Sequence, residues 1–228
     1  MKKYDIFLFD ADGTLYDYDR AEEQALKTMF ARCGFVYTEK ARKIYRDINI
    51  EVWSSFERGE MTKDELQTIR FTLLFGYIGV SYDEAEFNKQ YLAELGKGTF
   101  LIGGAFEICE YIASRGKKIY IVTNGLLATQ HARIKYSLIK NFITDFFVSE
   151  IVGFQKPDVR YFEYVFERIP PAAKENILIV GDSLTADIAG GKRAGIDTCW
   201  FNETGAKNQT NIKPDYEINK LPEIKNFV

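Results

Sequence analysis

The fold of this chain is decided by the segment YDIFLFDADGT at residues 4–14. An apolar, strand-like run, Ile6–Phe9, leads directly into Asp10 and Asp12, and Gly13 follows. Ligands of an open α/β sheet bind beyond the carboxyl ends of its strands. The segment therefore predicts a buried strand that delivers two carboxylates to a site at the edge of a sheet.

Two later apolar runs end in the same way. They are Ile119–Val122 before Thr123-Asn124-Gly125, and Ile177–Val180 before Gly181-Asp182-Ser183 with Asp187 shortly after. Because three strand-like runs each end in carboxylates or hydroxyls, we predict that these side chains share one site.

Beyond about residue 98, helical and strand-like patterns alternate. The predicted helices are Gly104–Arg115, Leu127–Tyr136, Asp158–Arg168 and Ala186–Ala194, and the later strands are Lys118–Val122, Phe146–Ser149, Ile177–Val180, Thr198–Phe201 and an edge strand within Pro214–Ile218. Such alternation is typical of parallel strands joined by helical crossovers. The predicted fold class is therefore α/β, with a Rossmann-like, doubly wound parallel sheet.

The stretch between the first and second strands has a different character, because it contains four helical patterns and no strand. Its signals are the spacing of Ala21–Phe30, an N-cap at Thr38 with a stop at Arg58-Gly59-Glu60, capping boxes at Thr62 and Ser81, and stops at Gly76, Gly79 and Leu95-Gly96. This stretch is too long for an ordinary crossover. We predict a separate α-helical domain at residues 16–96, inserted into a core of residues 1–15 and 97–228.

Composition and charge exclude several classes of partner. The 228 residues carry 30 basic and 33 acidic side chains, a net charge of −3 without a long basic run, which gives no reason to expect a nucleic-acid polymer or a membrane surface as partner. No apolar run approaches the ~20 residues of a membrane span. Cys33, Cys109 and Cys199 lie far apart among apolar neighbours, so we expect buried free thiols. The expected protein is cytoplasmic and a monomer or weak homodimer.

The acidic clusters favour a hard divalent cation. Asp10 and Asp12 would repel each other unless a cation or a proton lies between them, and Asp182 adds a third carboxylate from a neighbouring strand. Mg²⁺ prefers oxygen ligands and binds one or two carboxylates together with a substrate phosphate. These clusters contain no Cys or His, which argues against zinc.

A phosphate group would complement this set. Thr123 offers a hydroxyl, the amides of Asn124 and Gly125 can open a helix N-terminus, and Lys156 supplies a positive charge just before Pro157-Asp158. An Asp nucleophile can form an aspartyl-phosphate. A second acid can protonate the leaving oxygen and then activate water.

The combination resembles the haloacid dehalogenase (HAD) superfamily of phosphatases over nearly the whole chain. Its four motifs are matched in order by Asp10–Thr14, Thr123, Lys156, and Gly181-Asp182-Ser183 with Asp187. Two departures are visible: Gly103-Gly104-Ala105 lacks a Pro often found before the first core helix, and Val159 stands where Pro often continues the Lys-Pro-Asp element.

The resemblance implies a role for each matched residue. Asp10 would be the nucleophile and Asp12 the general acid and base. Asp10, the main-chain carbonyl of Asp12 and Asp182 would hold Mg²⁺, with Asp187 supporting the metal or Lys156. Thr123, Asn124, Gly125 and Lys156 would bind the substrate phosphate. The helical insertion resembles a C1-type cap.

The expected function is Mg²⁺-dependent hydrolysis of a small phosphate monoester through an aspartyl-phosphate. Residues 56–62 and 181–202 are most similar to a subgroup that includes bacterial pyrimidine 5′-nucleotidases, which suggests a nucleoside 5′-monophosphate. A phosphomutase, a sugar-phosphate or phosphoglycolate phosphatase, and a non-catalytic phosphate-binding or signalling domain remain open. Dehalogenation is disfavoured because it needs neither Asp12 nor the metal cluster.

Three further features have competing interpretations. Trp53, Phe56 and Arg58 either select the leaving group from the cap or only pack and end a helix. The glycine-rich run Gly190–Gly195 superficially suggests a phosphate loop, but without a strand directly before it we expect close packing and a helix C-cap. His131 is expected to face solvent.

Overall fold

A computed structural model describes residues 2–228, which form two compact units. One, the core unit, comprises residues 2–18 and Thr99–Val228, and the other, the helical unit, comprises Asp19–Gly98. The division falls close to the predicted boundaries at residues 15/16 and 96/97, and each unit is described by itself below.

The core unit contains one six-stranded sheet in the order β3-β2-β1-β4-β5-β6, and every neighbouring pair is parallel. The strands are β1 Ile6–Phe9, β2 Lys118–Thr123, β3 Asp145–Val148, β4 Ile177–Gly181, β5 Asp197–Phe201 and β6 Tyr216–Ile218. The predicted fold class is confirmed, including the edge strand near the C-terminus.

Both faces of the sheet are buried, as β1 shows. Phe7 and Phe9 pack into one apolar cluster, whereas Ile6 and Leu8 pack into a second cluster on the opposite face. Successive side chains of a strand point to opposite faces, so a continuous apolar run is what a parallel sheet covered on both sides requires.

Helices and short turns cover this sheet. The core helices are α5 Ala105–Ser114, α6 Leu127–Tyr136, α7 Ser149–Val152, α8 Val159–Phe166 and α9 Ala189–Ala194, with 3₁₀ turns at Lys174–Asn176 and Leu221–Phe227. Asp158 caps α8 by accepting a hydrogen bond from the Arg160 amide, as the Pro157-Asp158 pair suggested. The predicted helix at Ala186–Ala194 differs, because a π-helical turn, Leu184–Ile188, precedes α9.

The register aligns the ends of three strands. Phe9 of β1 pairs with Ile121 of β2 and with Val180 of β4. The loops that follow β1, β2 and β4 therefore leave the same edge of the sheet, which is the geometry that the sequence predicted.

The helical unit consists of α1 Tyr18–Cys33, α2 Glu39–Glu57, α3 Lys63–Ile78 and α4 Glu84–Leu95. Its caps confirm part of the prediction. Thr38 caps α2, and Thr62 forms a complete capping box with Glu65 at the start of α3. Two predictions were wrong: Gly76 lies inside α3, which ends at Ile78 with Gly79 as its C-cap, and the N-cap of α4 is Asp83, whose side chain accepts from the Glu86 amide.

Smaller expectations have mixed outcomes. Cys109 and Cys199 are buried free thiols, but Cys33 is only half-buried at the end of α1. Within residues 2–228, no helix is both long and apolar enough to cross a membrane.

Candidate active site

Lys156 lies at the centre of a buried ionic network in the core unit. Its ammonium donates to Asp10 Oδ1 at 2.5 Å, to Asp187 Oδ1 at 2.6 Å and to the Val122 carbonyl at 2.7 Å. The residue is 1% exposed. Burial alone lowers the pKa of Lys156, but the carboxylates of Asp10 and Asp187 outweigh it, so the pKa is raised and the side chain remains a cation.

Three carboxylates converge beside this ammonium. Asp10, Asp182 and Asp187 each place an oxygen within 4.8 Å of the others. Burial raises the pKa of Asp10 well above its usual range; Lys156 opposes this, while Asp187 and Asp182 add to it by repulsion. Asp182 is an exposed residue, but nearby protein atoms desolvate its carboxyl, and this desolvation together with the charge of Asp187 raises its pKa to about 7. The cluster thus carries more negative charge than Lys156 alone offsets.

The loop after β1 fixes Asp182 in this cluster. Thr14 Oγ1 lies 3.3 Å from Asp182 Oδ1 and accepts a hydrogen bond from the Asp182 amide at 3.1 Å. Gly13 has a φ of 79°, and a Cβ atom there would lie 2.6 Å from Asp182 Oδ2. Trp200 donates to the Asp182 carbonyl at 2.8 Å. Gly13 and Thr14 of the first motif therefore position a distant carboxylate, which lies 168 residues after Thr14 in the sequence.

The π-helical turn after β4 directs Asp187 inward. Asp187 is 1% exposed, and its Oδ2 accepts from the Ser183 amide at 3.1 Å. A Cβ atom at Gly181 would lie only 2.1 Å from the same oxygen. Both Asp187 oxygens are therefore engaged, one by Lys156 and one by this turn.

The predicted phosphate-binding residues lie beside Lys156. Thr123 is 1% exposed, and its hydroxyl accepts from the Gly125 amide at 3.0 Å. The Asn124 side chain donates to the Lys156 carbonyl at 2.9 Å and accepts from the Lys156 amide at 2.8 Å. Asn124 thus fixes the main chain of Lys156, a structural role that the sequence did not indicate.

Asp12 is held separately from the Lys156 network. Arg133 donates to Asp12 Oδ1 and Gln130 donates to Asp12 Oδ2. The carboxylate of Asp12 is not one of the three convergent carboxylates.

Sequence reasoning missed Gln130 and Arg133. A buried Gln and a buried Arg three positions apart on α6 have no distinctive pattern, because the same spacing is ordinary on a solvated helix face. His131, between them, is exposed as predicted. The signal that could have singled out the pair is its place on the helix that directly follows the Thr123-Asn124-Gly125 turn.

The helical unit holds the three residues considered for leaving-group selection. Phe56 is buried with Val52 and Leu66, and Trp53 packs against this group, so core packing accounts for both aromatic rings. Arg58 is half-exposed and forms ion pairs with Glu60 and Glu51 at the end of α2.

Comparison with known proteins identifies the protein family to which the chain belongs. The family model for haloacid dehalogenase-like hydrolases matches residues 4–195. This match covers most of the chain, from the first strand to the end of α9. The chain belongs to this family and is a hydrolase of the HAD fold.

Individual relatives match over nearly their full length. The chain is 44% identical to the HAD-hydrolase YfnB of Bacillus subtilis (strain 168) over 224 residues, which cover 98% of this chain and 95% of the relative. It is 34% identical to pyrimidine 5′-nucleotidase PynA of Streptococcus pneumoniae (strain R6), with coverages of 94% and 91%. A crystal structure of YfnB bound to magnesium superimposes with a TM-score of 0.93 at 43% identity, covering 99% of this chain and 98% of that chain.

Proposed function

We propose that this hydrolase is a Mg²⁺-dependent phosphatase that cleaves nucleoside 5′-monophosphates through an aspartyl-phosphate on Asp10. The observation that carries the proposal is the cluster in which the buried Lys156 binds the buried Asp10 and Asp187 beside the more exposed Asp182. A nucleophile, a cation and a metal-binding carboxylate are close together there, with Asp12 held next to them.

The residues present fit Mg²⁺. Three carboxylates and one ammonium leave a formal charge of −2, which one divalent cation neutralises, and every candidate ligand is oxygen. Burial and the neighbouring carboxylates raise the pKa values of Asp10 and Asp182, so a divalent cation at this position would stabilise their ionised forms. Asp10, Asp182 and the Asp12 carbonyl would hold the ion, and Asp187 would act mainly on Lys156. When bound, Mg²⁺ would supply positive charge that stabilises the phosphoryl oxygens.

In the first step, an Asp10 oxygen attacks phosphorus as the bond to the leaving oxygen breaks. Asp12 donates its proton to that oxygen, so the alcohol leaves neutral. Lys156, with Thr123 and the amides of the following turn, would bind the phosphoryl oxygens. The Gly125 amide donates to Thr123 Oγ1, so it must exchange or share this bond to reach a phosphate.

In the second step, water attacks phosphorus of the aspartyl-phosphate while Asp12 takes the water proton. The phosphorus–oxygen bond to Asp10 breaks, which releases inorganic phosphate and restores the Asp10 carboxylate. Asp12 has then regained the proton that it gave up in the first step, so the cycle is balanced.

The substrate class rests on the relatives. PynA and the 28% identical YjjG of Escherichia coli (strain K12) are both named pyrimidine 5′-nucleotidases and match nearly the whole chain. A nucleoside 5′-monophosphate with a pyrimidine base is therefore the first substrate to test.

The test measures phosphate release from a panel of nucleoside monophosphates, sugar phosphates and phosphoglycolate, with Mg²⁺ and with EDTA. We expect turnover only with Mg²⁺ and the highest kcat/KM for a pyrimidine nucleotide. Asp10→Asn should remove turnover of every substrate while the circular dichroism spectrum stays unchanged. Activity retained in Asp10→Asn would contradict the nucleophile, and phosphate transfer to a second sugar phosphate without free phosphate would indicate a mutase.

A further inference from the structure

The carboxylate of Asp12 accepts hydrogen bonds from two side chains of one helix. Arg133 and Gln130 of α6 each donate to a different carboxylate oxygen, so both oxygens have a protein partner. Two donors from a rigid element fix the rotation of a short side chain about both of its torsion angles. The direction in which Asp12 presents its carboxyl group is therefore set by α6.

Burying Arg133 and Gln130 costs folding free energy, which is unexpected unless the two side chains serve the site. The Arg133 side chain is 0% exposed and the Asp12 side chain is 26% exposed. Across residues 2–228, Arg133 Nε and Nη2 and Gln130 Oε1 have no hydrogen-bond partner. A buried, partly satisfied guanidinium is seldom the most stable choice for a core position, because an apolar side chain of similar size would pack there without the desolvation cost.

α6 also connects Asp12 to the turn beside Lys156. A Cβ atom at Gly125 would lie 2.3 Å from Gln130 Nε2, so the turn and the Gln130 side chain are in direct contact. Neither Gln130 nor Arg133 bonds to Lys156, whose partners are Asp10, Asp187 and the Val122 carbonyl. The donors can therefore be removed without breaking the Lys156 network.

We propose that Arg133 and Gln130 are positioning residues that aim the Asp12 carboxyl group for proton transfer. The proposal rests on the proposed function, since it assigns how that general acid and base is oriented. A catalytic group displaced by about 1 Å can lose on the order of a hundredfold in rate. Arg133 contributes the larger share, because a charged donor binds a carboxylate more strongly than a neutral amide.

The test compares two leaving groups in the variant Arg133→Met. kcat/KM reports the steps up to formation of the aspartyl-phosphate, and only a strongly basic leaving oxygen needs the proton of Asp12 in those steps. We expect kcat/KM for a nucleoside monophosphate to fall by about 10- to 100-fold, whereas kcat/KM for p-nitrophenyl phosphate falls only a few fold. Slow water activation should also produce a burst of nitrophenolate before steady turnover.

Three variants complete the design. The ratio to compare is kcat/KM for the nucleoside monophosphate divided by kcat/KM for p-nitrophenyl phosphate. Arg133→Lys keeps a cation and should restore part of this ratio, although a single ammonium cannot replace the planar guanidinium. Gln130→Leu should shift the ratio in the same direction by less. Lys135→Met removes an exposed cation from the same helix and should leave kcat/KM for both substrates unchanged.

Each outcome is decisive. Unchanged kinetics in Arg133→Met, or an equal loss on both substrates without a burst, would overturn the positioning role, and a lowered melting temperature with no change in the ratio would assign Arg133 to packing. A wild-type protein that hydrolyses no phosphate monoester would instead overturn the proposed function and this inference with it.

Discussion

At the scale of single residues, the site depends on close approaches that only glycine allows. Gly13 and Gly181 each lie against a carboxylate from the loop after β4, at distances where a Cβ atom would clash. In Asp-x-Asp-Gly-Thr and Gly-Asp-Ser, the glycines are therefore as necessary as the acids. They leave space for Asp182 and Asp187 beside the main chain.

Gly181→Ala tests this dependence. The new methyl group would lie 2.1 Å from Asp187 Oδ2 and would displace that carboxylate from Lys156. Overpacking of this kind costs about 1–3 kcal/mol, so the free energy of unfolding should fall by that amount. Phosphatase activity should fall at least about tenfold, because the position of Lys156 changes.

The matched control is Gly103→Ala. No heavy atom lies within 4 Å of the corresponding Cβ position, and the backbone there is not left-handed. Stability should stay the same or rise by about half a kcal/mol, because Ala restricts the unfolded chain more than Gly does. Equal effects of the two substitutions on urea unfolding and activity would show that the approach to Asp187 is unimportant.

The residues also show what the sequence alone could establish. Asp10, Asp12, Asp182 and Asp187 were recognisable because a carboxylate after an apolar strand is unusual unless it serves a site. Gln130 and Arg133 were not, because their partner is distant in sequence and a polar residue on a helix usually faces water. Single-sequence patterns show which residues are exceptional for their element, and Arg133 becomes exceptional only once its burial is known.

At the scale of elements, boundaries were predictable where local chemistry decides them. The capping box of Thr62 and Glu65 is complete within four residues, so it can be predicted from the sequence, and it is present in the structure. At α4, the sequence pattern pointed to Ser81, whereas the side chain that accepts the cap hydrogen bond is that of Asp83. The π-helical turn Leu184–Ile188 was not predictable, since it is linked to the inward placement of Asp187 and not to local propensity.

Thr62→Ala provides a prediction at this scale. The substitution removes the hydroxyl that accepts from the Glu65 amide at the start of α3. An N-cap of this type contributes about 1 kcal/mol, so unfolding of the helical unit in urea should require correspondingly less denaturant.

Thr72→Ala in the same helix serves as its control. Thr72 is exposed in the interior of α3, where its hydroxyl makes no cap hydrogen bond and donates at long range to the Thr68 carbonyl at 3.4 Å and to Glu84 Oε1 at 3.5 Å. Ala is the better helix former at such a position, so stability should be unchanged or slightly higher. Circular dichroism would monitor unfolding of both variants in urea. A larger loss of stability in Thr72→Ala than in Thr62→Ala would contradict the capping role.

At the scale of the whole molecule, the sheet gives the site its stability and also its electrostatic cost. Parallel strands buried on both faces hold the loops after β1, β2 and β4 in fixed register, so three carboxylates stay close even though they repel one another. Burial, together with this repulsion, raises the pKa values of Asp10 and Asp182. The stability of the metal-free protein is therefore linked to pH.

The sign of this linkage follows from the carboxyl groups. Asp182 has a usual pKa of 3.8 that rises to about 7 in the folded protein, and the pKa of Asp10 is raised as well. Between the two pKa values of Asp182, the folded state binds more protons than the unfolded state. The contribution of Asp182 to the free energy of unfolding therefore falls as the pH rises and levels off above about 7. Surface carboxyls with lowered pKa values, such as Glu60 and Glu65, act in the opposite direction at lower pH.

Melting temperatures of wild type and Asp182→Asn in EDTA, measured from pH 5 to pH 8, separate the two effects, because the surface carboxyls are common to both proteins. Wild type should lose more stability than Asp182→Asn as the pH rises through this range. Mg²⁺ should raise the melting temperature of wild type most at pH 8, where the carboxylates are ionised, and a ligand at a hundred times its Kd contributes about 2.7 kcal/mol. If wild type and Asp182→Asn showed parallel pH profiles and equal stabilisation by Mg²⁺, the carboxylate cluster would be neither the source of the pH dependence nor the binding site of the ion.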